Sequence, residues 1–270
     1  MKPQRVAVLG ASGFVGGELL RILAHHPAVV VEFVGARESA GRALIDVHPH
    51  LVGVDALSRS VLEPIDPEVL SDRADVVFSA LPHGSSAQLV EDVVPRGVHL
   101  IDLAGDFRLP ADAYPDWYGF DHPAPEWIDK AVYGLPEVLG HQLSGAPLIA
   151  NPGCYATAVV LSMAPLLSAG LVVTGAIRID GKSGLSGAGR TASETTTFTA
   201  TEESIRPYGL PRHRHTPEIE RGIELATGKA VRVLFVPHLV PAVRGVLTTS
   251  YAEMEAGVTT ESLAECLAAA

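Results

Sequence analysis

The stretch Asn151-Pro152-Gly153-Cys154-Tyr155-Ala156-Thr157 puts a cysteine where a Pro-Gly turn opens into a helix-like run. A thiol at a helix N-terminus meets unpaired amides and the positive end of the helix dipole, and both favour the thiolate. Cys154 is therefore a candidate nucleophile. The second cysteine, Cys266, lies in a plain amphipathic stretch and reads as filler. A thiol nucleophile needs a proton acceptor. Of the 11 histidines, most stand singly or, like His25-His26, close a helix-like segment. The exception is Pro211-Arg212-His213-Arg214-His215-Thr216-Pro217-Glu218, just ahead of another helix-like stretch. Its arginines supply positive potential for an anion. Glu218 can orient one of the two imidazoles and fix its tautomer; the residues alone leave open which one. No third metal ligand has convincing spacing to His213 and His215, so no metal is expected.

A second chemistry is written near the start. Gly10-Ala-Ser12-Gly13-Phe14-Val15-Gly16 follows the strand-like Val6–Leu9 and opens a helix. Glycines at this spacing allow a tight turn and close approach of a pyrophosphate, which sits on the helix N-terminal amides. The second strand ends at Val34-Gly35-Ala36-Arg37, with Ser39 beyond. A guanidinium in place of an acidic residue suits a ribose 2′-phosphate, so NADP is expected over NAD. The loop Leu81-Pro82-His83-Gly84 follows the third strand and is a candidate cofactor wall.

Other groups that could hold an oxyanion are Arg108, in Asp102-Leu-Ala-Gly-Asp106-Phe-Arg108-Leu, and Lys182, in Lys182-Ser183-Gly184-Leu-Ser-Gly187-Ala-Gly189-Arg190. The second of these is rich in Gly and Ser. Its amides are expected to form an anion nest, or its bare backbone to admit a flat nicotinamide ring.

The elements that must position these groups fall into two halves. Up to residue 150, apolar strands (Val6–Leu9, Val29–Val34, Val76–Ala80, Val98–Asp102) alternate with helices (Gly13–Ala24, Ser86–Val94), which predicts a doubly wound parallel sheet. From 151 to 270, a helix over Tyr155–Ala169 precedes long strands at Thr174–Asp180, Val231–Pro237 and Val246–Met254, which predicts an α+β domain with an antiparallel or mixed sheet. At 270 residues, with 47% hydrophobic and 19% charged, a packed core is expected and disorder is not. Twenty Lys+Arg against 31 Asp+Glu give a net charge of −11, which argues against nucleic acid as a partner. No apolar run is long enough for a membrane span, the start lacks a signal peptide, and two cysteines fit a reducing setting, so a cytoplasmic protein is expected.

With these pieces placed, the sequence resembles the N-acetyl-gamma-glutamyl-phosphate reductases of arginine biosynthesis, relatives of aspartate-semialdehyde dehydrogenase. The resemblance spans nearly the whole chain. It rests on Gly10–Gly16, Ser79–Gly84, Asp106-Phe-Arg108-Leu, Tyr133-Gly-Leu-Pro-Glu137, the block Ile149–Thr157, the block Lys182–Gly189, His213-Arg-His215 with Glu218, and Pro237-His-Leu-Val-Pro241 with Arg244-Gly245. It implies that Cys154 is the nucleophile and His213, rather than His215, the acid/base, with Glu218 orienting it. It further implies an NADP-binding Rossmann half (1–150), with Gly10, Ser12, Gly13, Phe14, Val15, Gly16, Arg37, Ser39, Leu81, Pro82, His83 and Gly84 at the cofactor, joined by Ser183, Gly184 and Gly187. The substrate half (151–270) would carry the oligomer interface of a homodimer or homotetramer. Arg108, Asn151, Lys182, Arg212 and His215 would meet the substrate. The implied reaction is reduction of an acyl phosphate to an aldehyde through a cysteine thioester. A related reductase acting on aspartyl or aminoadipyl phosphate, or a non-catalytic NADP-binding regulator, stays open beside it. Family chains run on past the point matching Ala270, so the bare ending Leu267-Ala-Ala-Ala270 is expected to be a cut that leaves the second domain incomplete, exposes apolar surface and lowers stability.

Overall fold

The computed structural model describes residues 2–175 and 177–270, which group into two compact units. The first comprises the chain up to Pro115 with Phe120–Gly134 and His141–Asn151. It holds a six-stranded sheet, every pairing of which is parallel, in the order β2-β1-β3-β4-β6-β5: β1 (Gln4–Leu9), β2 (Val29–Gly35), β3 (Val76–Ser79), β4 (His99–Asp102), β5 (Val132–Tyr133) and β6 (Leu148–Ala150). Val6, Ala7, Val8 and Leu9 are all buried, as a strand covered on both faces requires. The helices that matter for the site are α1 (Phe14–Leu23), α2 (Pro67–Arg73) and α3 (Ser85–Val93). Asp66 caps α2 by accepting from the Glu68 amide at 2.9 Å. Leu20, Leu44, Leu51, Leu57 and Leu62 close the core behind β1 and β2.

The second unit comprises Asp116–Gly119, Leu135–Gly140 and Pro152–Ala270. Helix α4 (Cys154–Ser168) opens it, followed by β7 (Ile177–Ser183), β8 (Arg206–Pro207), α5 (His215–Thr227), β9 (Val233–Leu239), β10 (Val246–Tyr251) and α6 (Thr260–Ala269). The strand expected over Thr174–Asp180 starts three residues later and runs on through Ser183; Ala176 lies outside the described residues. The sheet order is β10-β7-β9-β8, with β7 and β9 parallel and the other pairs antiparallel, so the sheet is mixed. Helices α4 and α5 pack on each other and against the sheet. Alternation then divides β7: Ile177, Ile179, Gly181 and Ser183 are buried toward the helices, while Arg178, Asp180 and Lys182 point the other way. The register puts Leu234, His238, Leu247 and Tyr251 on that outer face. Leu234, Leu247 and Tyr251 are exposed there. Among the described residues no helix is long and apolar enough to cross a membrane.

Candidate active site

Cys154 is the first residue of α4, exposed, with Gly153 as its N-cap. No side chain caps this helix end by hydrogen bonding. A thiolate here would face first-turn amides that have no partner inside the helix. The turn is held from 65 residues away: the Gly153 amide donates to Glu218 Oε1 at 2.6 Å. Glu218 is fully buried, and its other oxygen lies 3.9 Å from His215 Nε2.

Helix α5 begins at His215, so His213 sits one residue ahead of its N-cap, Arg214. The His213 ring is packed edge-on against Tyr155, Tyr208 and Phe235, with centroids 6.3, 5.4 and 5.3 Å away. His215 packs on Tyr155 at 5.7 Å and on His213 at 5.0 Å. Two glycines make room for this stack. A Cβ on Gly181 would lie 2.5 Å from the Tyr155 ring, and one on Gly209 2.7 Å from His213. Burial, and then the neighbouring His215 and Arg214, push the His213 imidazole down to about 4, so it is neutral at pH 7. Its Nδ1 accepts the His215 amide at 3.2 Å. In the neutral ring that leaves Nε2 to carry the proton.

Within the second unit, then, Cys154's turn, Glu218, His215 and His213 are tied together. Glu218 meets the Gly153 amide and the His215 imidazole, a different placement from the expected pairing with His213. Tyr155, Tyr208 and Phe235, which frame both histidines, were missed. The signal for them was Tyr208-Gly209 just ahead of the His-Arg-His block and Tyr155 just after the cysteine. Arg212 is exposed, its guanidinium 5.2 Å from the Trp117 ring.

Three anion-site expectations meet different surroundings. Lys182 lies on the outer face of β7 with its ammonium 2.6 Å from Asp180 Oδ2, opposite the face that carries Gly181 and the aromatic stack. The amides of Gly184, Leu185 and Ser186 donate to the carbonyls of Gly245, Ala242 and Val243, and those of Gly187 and Gly189 to Gly184 and Ser186. The segment's amides are thus spent within the backbone and build no nest. Ser183 is buried, and a Cβ on Gly184 would strike the Arg244 backbone at 2.8 Å, so this glycine serves close packing of two chain segments. A Cβ on Gly187 would come equally close to Ser183 Oγ. In the first unit, Arg108 is 5% exposed and donates to the carbonyls of Asn151 at 2.7 Å and Leu103 at 2.9 Å. Asn151, partly buried, donates its amide to the Asp102 carbonyl.

The glycine turn of the first unit divides its labour. Gly10 has φ +72°, and a Cβ there would overlap the Ala80 carbonyl. A Cβ on Gly16 would lie 2.7 Å from the Ala11 Cα and still closer to the Gly10 carbonyl oxygen. These two glycines serve the turn and the packing of helix on strand. Gly13, the N-cap of α1, is different: its Cβ would meet only the Gly10 oxygen at 3.3 Å. Its missing side chain leaves open space at a helix N-terminus with no acidic residue in its first turn. That cradle fits a pyrophosphate. Ser12 is partly buried beside it, and Phe14 and Val15 are exposed on the first turn. Arg37 and Leu81 line a cavity of about 370 Å³ together with Ser85. Ser39 lies partly buried nearby in sequence, Pro82 is exposed and His83 partly buried. Gly84 has φ +83° and caps α3, its amide bound to the Asp106 carboxylate at 2.8 Å. Among the described residues, no cluster of His, Cys, Asp or Glu could hold a metal ion.

Family models match both units in turn: the semialdehyde dehydrogenase NAD binding domain over residues 5–146 and the semialdehyde dehydrogenase dimerisation domain over 154–270. The chain is 42% identical to the N-acetyl-gamma-glutamyl-phosphate reductase of Magnetococcus marinus, over 97% of its own length and 75% of that protein's. The chain belongs to the N-acetyl-gamma-glutamyl-phosphate reductase family. Another member, the reductase of Desulforudis audaxviator, is 46% identical over 92% of this chain and 71% of its own. In architecture the family chain is similar to the aspartate semialdehyde dehydrogenase of Candida albicans, solved with NADP (TM-score 0.68, 20% identity, 98% of this chain and 76% of that one).

Proposed function

We propose that the chain is a cytoplasmic NADPH-dependent oxidoreductase. It reduces N-acetyl-L-glutamyl 5-phosphate to N-acetyl-L-glutamate 5-semialdehyde and phosphate, a step of arginine biosynthesis. Family membership supports the substrate. The observation that carries the chemistry is an exposed cysteine on a helix N-terminus, with its turn clamped by a buried carboxylate that also faces a histidine pair.

In this reading the Cys154 thiolate attacks the acyl-phosphate carbonyl, the C–O bond to phosphate breaks, and a thioester forms on the sulfur. The first-turn amides of α4 hold the thiolate and then the carbonyl oxyanion. In place of the expected acid/base role, His213, its Nδ1 taken by the His215 amide, donates its Nε2 proton as a hydrogen bond to the same charges and stays neutral, and the thiol proton departs on the phosphate. The chemistry that NADPH would supply, when bound by the 1–150 half, is a hydride for the thioester carbon. The oxyanion then re-forms the carbonyl, the C–S bond breaks, and aldehyde leaves with the thiolate restored. Glu218 positions the Gly153 turn and the histidine pair. The 1–150 half takes the dinucleotide: the cradle at Gly13 and the first turn of α1 holds the pyrophosphate, and Arg37, with Ser39 beside it, the 2′-phosphate. The 151–270 half takes the substrate, Arg212 being the exposed cation nearest in sequence to the histidines. Two copies meet through the outer face of the mixed sheet, where Leu234, Leu247 and Tyr251 stand exposed.

The test runs in reverse: NADPH formation is followed spectrophotometrically with NADP+, phosphate and each candidate semialdehyde. N-acetylglutamate semialdehyde should support turnover at least about 100-fold better than aspartate semialdehyde, because a site that hydrogen-bonds one ligand rejects the analogue lacking that partner. Equal rates, or preference for the aspartyl compound, would overturn the substrate assignment.

A further inference from the structure

Building on the dinucleotide role proposed for the first unit, we infer that Asp106 is a positioning residue for the cofactor: its buried carboxylate clamps the wall that follows β3, and a proton taken up there loosens the wall and weakens dinucleotide binding. The clamp reaches across the sequence. The Gly84 amide, 22 residues away, donates to Asp106 Oδ1 at 2.8 Å, and the Ala87 amide, 19 residues away, to Oδ2 at 3.0 Å. Gly84 is the N-cap of α3 and has no side chain to cap with, so the acceptor comes from Asp106. The clamped stretch carries Ser85, and Leu81 just ahead of it; both line the cavity beside Arg37. Arg37 Nη2 donates to Ser85 Oγ at 3.2 Å. At the start of the same segment, the Ala80 carbonyl lies where a Cβ on Gly10 would fall, so the segment also abuts the glycine turn.

The carboxylate stands where its charge is penalised. Asp106 and Asp102 are both fully buried. Asp102 accepts the amides of Ala104, Gly105 and Asp106 at 2.9, 3.0 and 2.8 Å, which fixes the loop that carries Asp106. His122, which burial keeps neutral, gives its Nε2 hydrogen to the Asp106 backbone carbonyl and not to the carboxylate. Arg108 donates to the carbonyls of Asn151 and Leu103. Helix α3 faces Asp106 with amides, the Ser86 hydroxyl being given to Ser79 Oγ at 2.7 Å. Burial, and then the charge on Asp102, raise the Asp106 carboxyl to about 6. Ionised, it offers an acceptor to each amide. Protonated, one oxygen becomes a hydroxyl, a poorer acceptor whose own hydrogen must be placed, and the grip on Gly84 or Ala87 slackens. A ligand that needs the clamped wall then binds in proportion to the clamped population. A proton gained elsewhere beside the cofactor adds positive charge and favours its anionic pyrophosphate. Loss of affinity in acid is therefore the mark of the clamp.

Titration calorimetry between pH 7.5 and 5 tests this without turnover. NAD+ serves for the wild-type chain, because the 2′-phosphate of NADP+ itself titrates near about 6. Its Kd should rise about five- to tenfold over that range, since the ionised fraction of a group titrating at about 6 falls to roughly a tenth at pH 5. NADP+ serves for comparing chains, because its own titration cancels in the ratio. Asp106→Asn keeps one acceptor oxygen and cannot ionise. It should bind NADP+ about three- to tenfold more weakly than wild type at pH 7.5, the two converging to within about twofold at pH 5. A residue that only supports the fold would give a ratio that does not change with pH. A wild-type affinity for NAD+ that stays level or rises in acid, or a variant-to-wild-type ratio that is constant across the range, would overturn the inference and leave the cofactor proposal standing. A wild-type chain that binds neither dinucleotide at pH 7.5 overturns both.

Discussion

Glu218 accepts the Gly153 amide in a place closed to water, and removing that carboxylate strips a buried donor of its partner. An unsatisfied buried amide costs about 1–3 kcal/mol. Glu218→Ala should therefore lose at least that much stability in urea unfolding and lower kcat, whereas Glu218→Gln, which keeps an acceptor oxygen, should hold within about 1 kcal/mol of wild type. His213 makes a pH prediction. Its folded value of about 4 lies below its unfolded value of 6.5, so the unfolded chain takes up the proton first as pH falls. The associated stability is complete above about pH 6.5, is lost as pH falls toward 4, and changes no further below. Asp106 works the other way. Burial, and then the charge on Asp102, raise it to about 6, so its contribution is present at low pH and is lost as pH rises through 6. The two trends oppose each other between pH 4 and 6. Urea unfolding at a series of pH values should show His213→Gln losing less stability than wild type from pH 6.5 to 4.5.

At the scale of elements, the glycine turn separates folding from binding. Gly16→Ala pushes a Cβ into backbone that cannot give way, and overpacking of that kind costs about 1–3 kcal/mol. Gly13→Ala meets only the Gly10 carbonyl oxygen, at 3.3 Å, a contact that a shift of a few tenths of an ångström relieves, and its φ of −80° suits alanine. It should keep the wild-type melting temperature within a few degrees yet weaken NADP+ at least about tenfold in calorimetry, since the methyl fills the space at the helix N-terminus. The elements themselves were largely legible: the strand–turn–helix at Gly10–Gly16 and the helix behind Cys154 follow from glycine spacing and apolar runs. What was not legible is orientation and distance. Lys182 and Ser183 read as one Gly/Ser-rich loop, but β7 runs through both, and period-two alternation sends them to opposite faces. The loop amides looked available because their acceptors, Ala242–Gly245, lie some sixty residues on. Arg108 looked like a free cation and is instead spent on backbone carbonyls. The Glu218–Gly153 bond joins residues 65 apart, which no local pattern carries.

For the molecule as a whole, the net charge of −11 leaves local cations such as Arg37 and Arg212 to attract anionic ligands against the overall field. In the proposed assembly, copies associate through the outer face of the mixed sheet, where apolar residues stand exposed. Leu247→Glu should therefore shift sedimentation toward the monomer while NADP+ binding to the other unit is kept; an unchanged oligomer would relocate the interface. If the proposed chemistry holds, Cys154 becomes acylated. Intact and peptide mass spectrometry after mixing the protein with N-acetylglutamyl phosphate, formed in place by a kinase and ATP with no nicotinamide present, reads this directly. The Cys154 peptide should carry an N-acetylglutamyl group with release of up to one phosphate per chain, and Cys154→Ser should show neither. Acylation at another residue, or a Cys154→Ser chain that still becomes acylated and releases phosphate, would contradict it.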